Sequence, residues 1–143
     1  KSTGSIMAPW ELGAQIMYRA EWPVVASGYH RNIAGIHDAY RYFLAQPSDA
    51  AVVQQILETR KVRYVVAWFD RSFVRTGQVV LGGDRVYVDG QGQFTDLAVN
   101  CLFSNLRYSK AVPGYRLAYE SPMEIRTAGD SSMPIFRVFE VVR

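Results

Sequence analysis

Eight residues near the middle of the chain constrain its fold more than any others. Val62-Arg63-Tyr64-Val65-Val66-Ala67-Trp68-Phe69 is apolar apart from Arg63 and rich in β-branched and aromatic side chains, which predicts a central strand covered on both faces. Ahead of it, Val52, Val53, Ile56 and Leu57 recur at helical spacing, with Ser48 or Asp49 as the cap and Arg60-Lys61 at the carbonyl end, where cations are favoured. A helix that runs straight into an apolar strand is a unit of a layered α/β protein.

The flanking sequence extends that unit. Ser5-Ile6-Met7-Ala8 reads as a short buried strand stopped by Pro9. Residues 11–20 form a helix with Leu12, Ile16 and the stem of Arg19 on one face, and Val24-Val25-Ala26 is a second short strand, so the three make a compact parallel crossover. Asn32 caps a helix carrying Ile33, Ile36, Tyr40, Phe43 and Leu44. Residues 78–92 read as a hairpin turning at Gly82-Gly83-Asp84, and Thr95 caps one further helix bearing Leu97, Cys101, Leu102 and Leu106. After Pro113-Gly114 the alternation of Tyr115, Leu117 and Tyr119 with Arg116, Ala118 and Glu120 predicts a strand, which pairs antiparallel with a last strand at residues 135–142. The expected fold is α/β: a mixed β-sheet with packed helices in a single domain, residues 1–143, with antiparallel strands at the C-terminal end.

Composition narrows the function classes. With 143 residues, about two thirds of the unfolded surface is hidden on folding, enough for a core without staples. Cys101 is the one cysteine, which excludes an internal disulfide and a cysteine-cluster zinc site. The net charge of +3 comes from cations scattered singly along the chain, without the clustering of a nucleic-acid footprint or the one-sided face of a membrane-surface helix. These charges are read as a solvated surface of mixed sign. The longest apolar stretches, residues 62–69 and 135–142, fall far short of the about 20 residues that span a bilayer. The chain opens on Lys1-Ser2-Thr3-Gly4-Ser5 without a starting Met, and it is read as a segment of a longer protein.

Local spacing supplies no catalytic centre. His30 and His37 are seven apart with Asp38 beside the second, looser than zinc motifs such as H-E-x-x-H, and are read as ordinary polar side chains. In Asp89-Gly90-Gln91-Gly92-Gln93, Phe94 stands where a calcium loop needs Gly and no Glu closes the loop; it is a turn. Gly90-x-Gly92 lacks the third glycine of a dinucleotide fingerprint, and Val25 stands where a nucleophile elbow through Ser27-Gly28 needs Gly.

One stretch is more specific. Ile6-Met7-Ala8-Pro9-Trp10-Glu11-Leu12-Gly13-Ala14-Gln15-Ile16, followed by Arg19-Ala20-Glu21-Trp22-Pro23-Val24-Val25-Ala26-Ser27-Gly28, resembles the region around the W-W-D-Y-G motif of oligosaccharyltransferase catalytic subunits. Tyr42-Phe43-Leu44-Ala45, Asn105-Leu106-Arg107-Tyr108 and Phe136-Arg137-Val138-Phe139-Glu140 follow in an order similar to that family's. Within the motif Trp10 and Gly13 match, while Pro9 replaces the first Trp, Glu11 the Asp and Leu12 the Tyr. Pro9 brings neither an indole nor a backbone N–H.

The resemblance implies the extracytoplasmic domain of a multispanning membrane glycosyltransferase, which moves a glycan from a polyprenyl-linked donor to an acceptor polypeptide. It implies partners in the protein's own transmembrane domain, the acceptor and the donor, and no nucleic acid. It also implies a divalent metal, Mg or Mn, held by the membrane part, with no cofactor, metal site or catalytic residue in this segment. By the same resemblance Trp10, Glu11 and Gly13 form the acceptor-binding edge, where aromatic and acidic side chains receive a Ser or Thr hydroxyl. Two other readings fit the residues: Trp10-Glu11 as a plain helix start, and a free-standing α/β module that binds a ligand or partner at the carboxyl ends of its strands, near Ala8-Pro9 and Ser27-Gly28.

Overall fold

The computed structural model describes residues 3–28, 32–68, 72–126 and 132–142. Along the chain come β1 (Ser5–Met7), α1 (Trp10–Ala20), α2 (Ile33–Phe43), a 3-10 turn at Pro47–Asp49, α3 (Ala50–Thr59), β2 (Val62–Trp68) and α4 (Phe73–Leu81). Then follow α5 (Asp96–Asn100), α6 (Leu102–Tyr108), β3 (Tyr115–Glu120), β4 (Met123–Arg126), β5 (Ser132–Pro134) and β6 (Phe136–Val141). The main sheet has the order β1-β2-β6-β3, with β1 parallel to β2 and the other pairs antiparallel; β4 and β5 pair separately. It is the expected mixed α/β sheet, and the pairing of β3 with β6 is the expected C-terminal antiparallel pair.

The core lies on one face of that sheet. Val65 and Ala67 of β2 and Phe139 of β6, which faces Val65 in register, are fully buried beneath α3 and α6, and α2 packs against α3, α4 and α6. On the opposite face of β2, Val62 and Val66 are buried, and the aromatics between and beyond them are partly exposed. Tyr64 meets the edge of Trp22 at 5.6 Å and Trp68 stacks on Phe136 at 6.4 Å; Arg63, at the start of the strand on the Val65 side, is exposed. The strand is thus central and covered on both sides as expected, except at its aromatics, which gain from a partly wet position that an aliphatic side chain would not.

Four further expectations change. Val79-Val80-Leu81 is no hairpin arm but the last turn of α4, whose Phe73, Val74 and Gly77 face the core while Val79 and Val80 are exposed. Gly82, at φ +62°, is the left-handed stop of that helix. Residues 82–88 then return along α4, and the Gln78 side chain accepts the N–H groups of Tyr87 (2.7 Å) and Val88 (2.8 Å). The helix expected from Thr95 is two, broken at Cys101 because the Leu102 N–H turns to donate to the Ala45 carbonyl at 2.9 Å. Residues 24–26 form only a single bridge, Val24 to Ile6, parallel as expected. Finally, Arg19 is exposed rather than lying along the face of α1.

Asp49 ties the turn before α3 to the loop after α4. Its carboxylate accepts the Gln46 N–H at 2.8 Å and an Arg85 N–H at 3.0 Å. The hydrogen-bonded Arg85 guanidinium holds this carboxyl below the usual range, with desolvation opposing it. A depressed carboxyl pKa stabilises above the unfolded-state value and ceases to do so as pH falls through the folded one. Asp49→Asn is therefore expected to lower the melting temperature by about 3 °C at pH 7, for a half-exposed pair of about 1 kcal/mol. The gap to wild type should close in melts near about pH 2; an equal gap at both pH values would contradict this account.

Candidate functional site

The carboxyl ends of the parallel segments converge where α1 begins. β1 ends at Met7, Pro9 turns the chain with φ −51°, and α1 starts at Trp10 with the Leu12 N–H on the Pro9 carbonyl at 3.0 Å. Proline fits that position because its missing N–H would have no partner in the first turn. Beside this start runs residues 25–27, pinched between two helices through their glycines. A Cβ on Gly13 would lie 2.1 Å from the Ala26 carbonyl oxygen and 2.7 Å from the Ser27 Cα; one on Gly35 of α2 would lie 2.0 Å from the Val25 oxygen. Asn32 stands at the cap position of α2, but its amide instead reaches the Val25 oxygen at 3.2 Å and the Ser27 Oγ at 3.4 Å.

Of the three residues expected at the acceptor edge, the structure gives each a distinct place. Gly13 is the buried seat of α1. Trp10 is half-buried; its indole Nε1–H donates to the Tyr40 hydroxyl at 2.9 Å, and its ring carbons lie 3.6–3.8 Å from where a Gly28 Cβ would sit. Glu11 is exposed in the first turn, where its charge suits the amide end of the helix. The result is an indole against a bare backbone corner, with an exposed carboxylate next to it in the first turn. Such an arrangement can hold a ligand's apolar surface and accept a hydrogen bond from it.

The other candidates lie elsewhere. His30 falls outside the described residues. His37 is exposed on α2, and its neighbour Asp38 pairs with Arg60 at 2.8 Å and Arg41 at 3.3 Å. Asp89 accepts the N–H groups of Gln91 and Gln93, both at 2.9 Å, which makes that loop the expected turn. Among the described residues no three His, Cys, Asp or Glu side chains come together as a metal site. A groove of about 670 Å³ between α3, α6 and residues 112–115 has Val53, Leu57, Leu102 and Tyr115 in its lining and shares no residue with the Trp10 edge.

Two features were not legible in the chain. Tyr40 reads as one more core residue at helical spacing, and nothing in its spacing announces a hydroxyl that receives an indole. Arg107 and Arg137, read as surface charges, are buried instead. Arg107 donates to the Trp68 carbonyl at 3.3 Å, and Arg137 reaches the Arg107 carbonyl and the Glu120 carboxylate, the latter at 3.1 Å. Together they tie α6 to the end of β2 and to β6. Burial pushes the Arg107 pKa down.

Residues 1–71, the first half of the chain, match the family model of the AglB core domain. Over those residues the chain is similar to the AglB core-like family. No curated protein matches it by sequence. Among solved structures, the C-terminal globular domain of oligosaccharyltransferase from Archaeoglobus fulgidus is similar in fold, with a TM-score of 0.72 and 22% identity over 99% of this chain and 82% of that one. An apo oligosaccharyltransferase of the same organism matches with a TM-score of 0.70 and 13% identity, over 99% of this chain and 27% of that one. A third structure, that oligosaccharyltransferase tethered to an acceptor peptide containing the NVT sequon, matches with a TM-score of 0.65 and 12% identity, over 99% and 28% of the two chains. The domain thus has the fold of the globular C-terminal part of oligosaccharyltransferases, about a quarter of the longer ones, and among the described residues no helix is long and apolar enough to cross a membrane.

Proposed function

We propose that this domain is the acceptor-facing, extracytoplasmic part of a membrane oligosaccharyltransferase and presents a polypeptide to chemistry carried out elsewhere in its parent. The observation that carries the reading is the Trp10 indole set against the backbone corner at Gly28, with Glu11 exposed next to it in the first turn of α1, within the stretch that matches the family. Similar oligosaccharyltransferases tethered to an acceptor peptide, or in complex with an inhibitory peptide and a dolichol-phosphate, support a polypeptide acceptor and a polyprenyl-linked donor as its partners. A related structure contains Zn and sulfate. The described residues offer no cluster for such an ion, and the proposal leaves the parent's divalent metal, Mg or Mn, to the membrane portion. In this division Glu11 accepts the hydrogen of a ligand hydroxyl, Trp10 walls the ligand, and Gly13 lets α1 approach closely enough to bring them together. An analogue without the hydroxyl is rejected because the carboxylate loses that bond.

Glu11→Gln in the full-length protein is expected to cut acceptor use by about tenfold, the value of one charge-assisted hydrogen bond, with a melting temperature within about 1 °C of wild type. Glycan transfer to an acceptor peptide, measured beside a thermal melt, checks both. A large loss of stability with unchanged transfer would make Trp10-Glu11 a helix start only. Glycan transfer by the 143-residue chain alone would overturn the division of labour.

A further inference from the structure

We infer that Tyr40 positions Trp10 and withdraws its indole N–H from ligand recognition, so that this edge reads a hydrogen-bond-donating ligand group through the Glu11 carboxylate against a purely apolar indole face. The inference rests on the acceptor reading for its ligand and on geometry for the rest. An indole has one donor and no acceptor. That donor is directed at the Tyr40 hydroxyl, 2.9 Å away, and Tyr40 is 0% exposed. A ligand that took the indole N–H would have to break a partly buried bond to a hydroxyl that water does not reach.

Tyr40 itself is held from a second side. Its ring lies 4.8 Å from that of Phe73, and α4 approaches so closely that a Cβ on Gly77 would sit 2.6 Å from the Tyr40 ring and from Leu44. The hydroxyl is thus anchored by α2 and α4, and the indole plane by that hydroxyl and by the bare backbone at Gly28. With Pro9 lacking any N–H and the Trp10 indole N–H turned to Tyr40, neither of the first two side chains of the motif donates to a ligand. The side chains left at this edge therefore favour a hydroxyl or other donor group facing Glu11.

The test uses the 15N-labelled 143-residue chain and its tryptophan indole N–H signals, assigned by single Trp→Phe variants. Tyr40→Phe is expected to speed exchange of the Trp10 indole proton with water by about tenfold, the loss of one neutral hydrogen bond, and to leave Trp22 and Trp68 within about twofold. Unchanged Trp10 exchange would overturn the inference. A peptide containing Asn-Val-Thr is then titrated. Movement of the Glu11 and Gly28 backbone signals with Trp10 indole exchange unaltered supports it. Slowed indole exchange on peptide addition would overturn it. If the peptide moves no signal, the acceptor reading fails, and the positioning role of Tyr40 stands or falls on the exchange rate alone.

Discussion

Gly13→Ala is expected to lower the melting temperature by about 6 °C or more and to disorder the Trp10 edge with it. In an open helix the change would stabilise, since alanine is favoured over glycine by about 1 kcal/mol. Here the new methyl would sit 2.1 Å from the Ala26 carbonyl oxygen and within 2.9 Å of the Ser27 Cα and Cβ. Two of those atoms are backbone and cannot rotate aside. Overpacking of this kind costs about 3 kcal/mol, so the clash outweighs the propensity by about 2 kcal/mol. Gly13 is also the one buried residue of α1, which leaves the helix little else to hold it at that spacing. A thermal melt settles the sign: an unchanged or raised midpoint would mean that α1 rides further from residues 26–27 than described.

Phe43→Ala should cost still more, about 4 kcal/mol and roughly 12 °C, because it removes the hub of the aromatic core. Its fully buried ring makes edge contacts with Tyr42 at 5.1 Å, Phe73 at 5.4 Å and Phe103 at 5.7 Å, so truncation leaves a cavity and loses three oriented pairs. Phe73 in turn lies against Tyr40, and the damage should reach Trp10 as stronger quenching of tryptophan fluorescence by added acrylamide. Tyr18→Ala on the outer side of α1, 86% exposed, is the comparison and should stay within about 0.5 kcal/mol. A Phe43→Ala midpoint lowered by less than about 4 °C would deny that cluster its central place.

What could be read from the chain followed from local rules. β2, β3 and β6 were legible because apolar continuity or alternation is a property of the strand itself, and α2 and α3 because their stripes recur at helical spacing. The hairpin misread at residues 78–92 shows the limit: Val79 and Val80 favour strands intrinsically, but Phe73, Val74 and Gly77 bury a helical face that overrides them. The break at Cys101 depends on the Ala45 carbonyl, more than fifty residues away, and no window of sequence contains it. The same holds at the candidate site. The family resemblance singled out Trp10, Glu11 and Gly13, yet the bond that fixes Trp10 comes from Tyr40, thirty residues on, and only the folded arrangement joins them.

The single bridge beside β1 has a wider consequence. Ile6 already gives its N–H to Pro23 and its carbonyl to Val25, both at 2.9–3.0 Å, so the outer side of that strand is spoken for. Beyond it stands one bridging residue next to a proline that has no amide hydrogen to offer. A visiting polypeptide therefore finds no foothold for lengthening the sheet at this end: it must be gripped by what projects from the surface rather than stitched on as another ribbon, and the same blunt margin discourages copies of the domain from zipping together into fibrils.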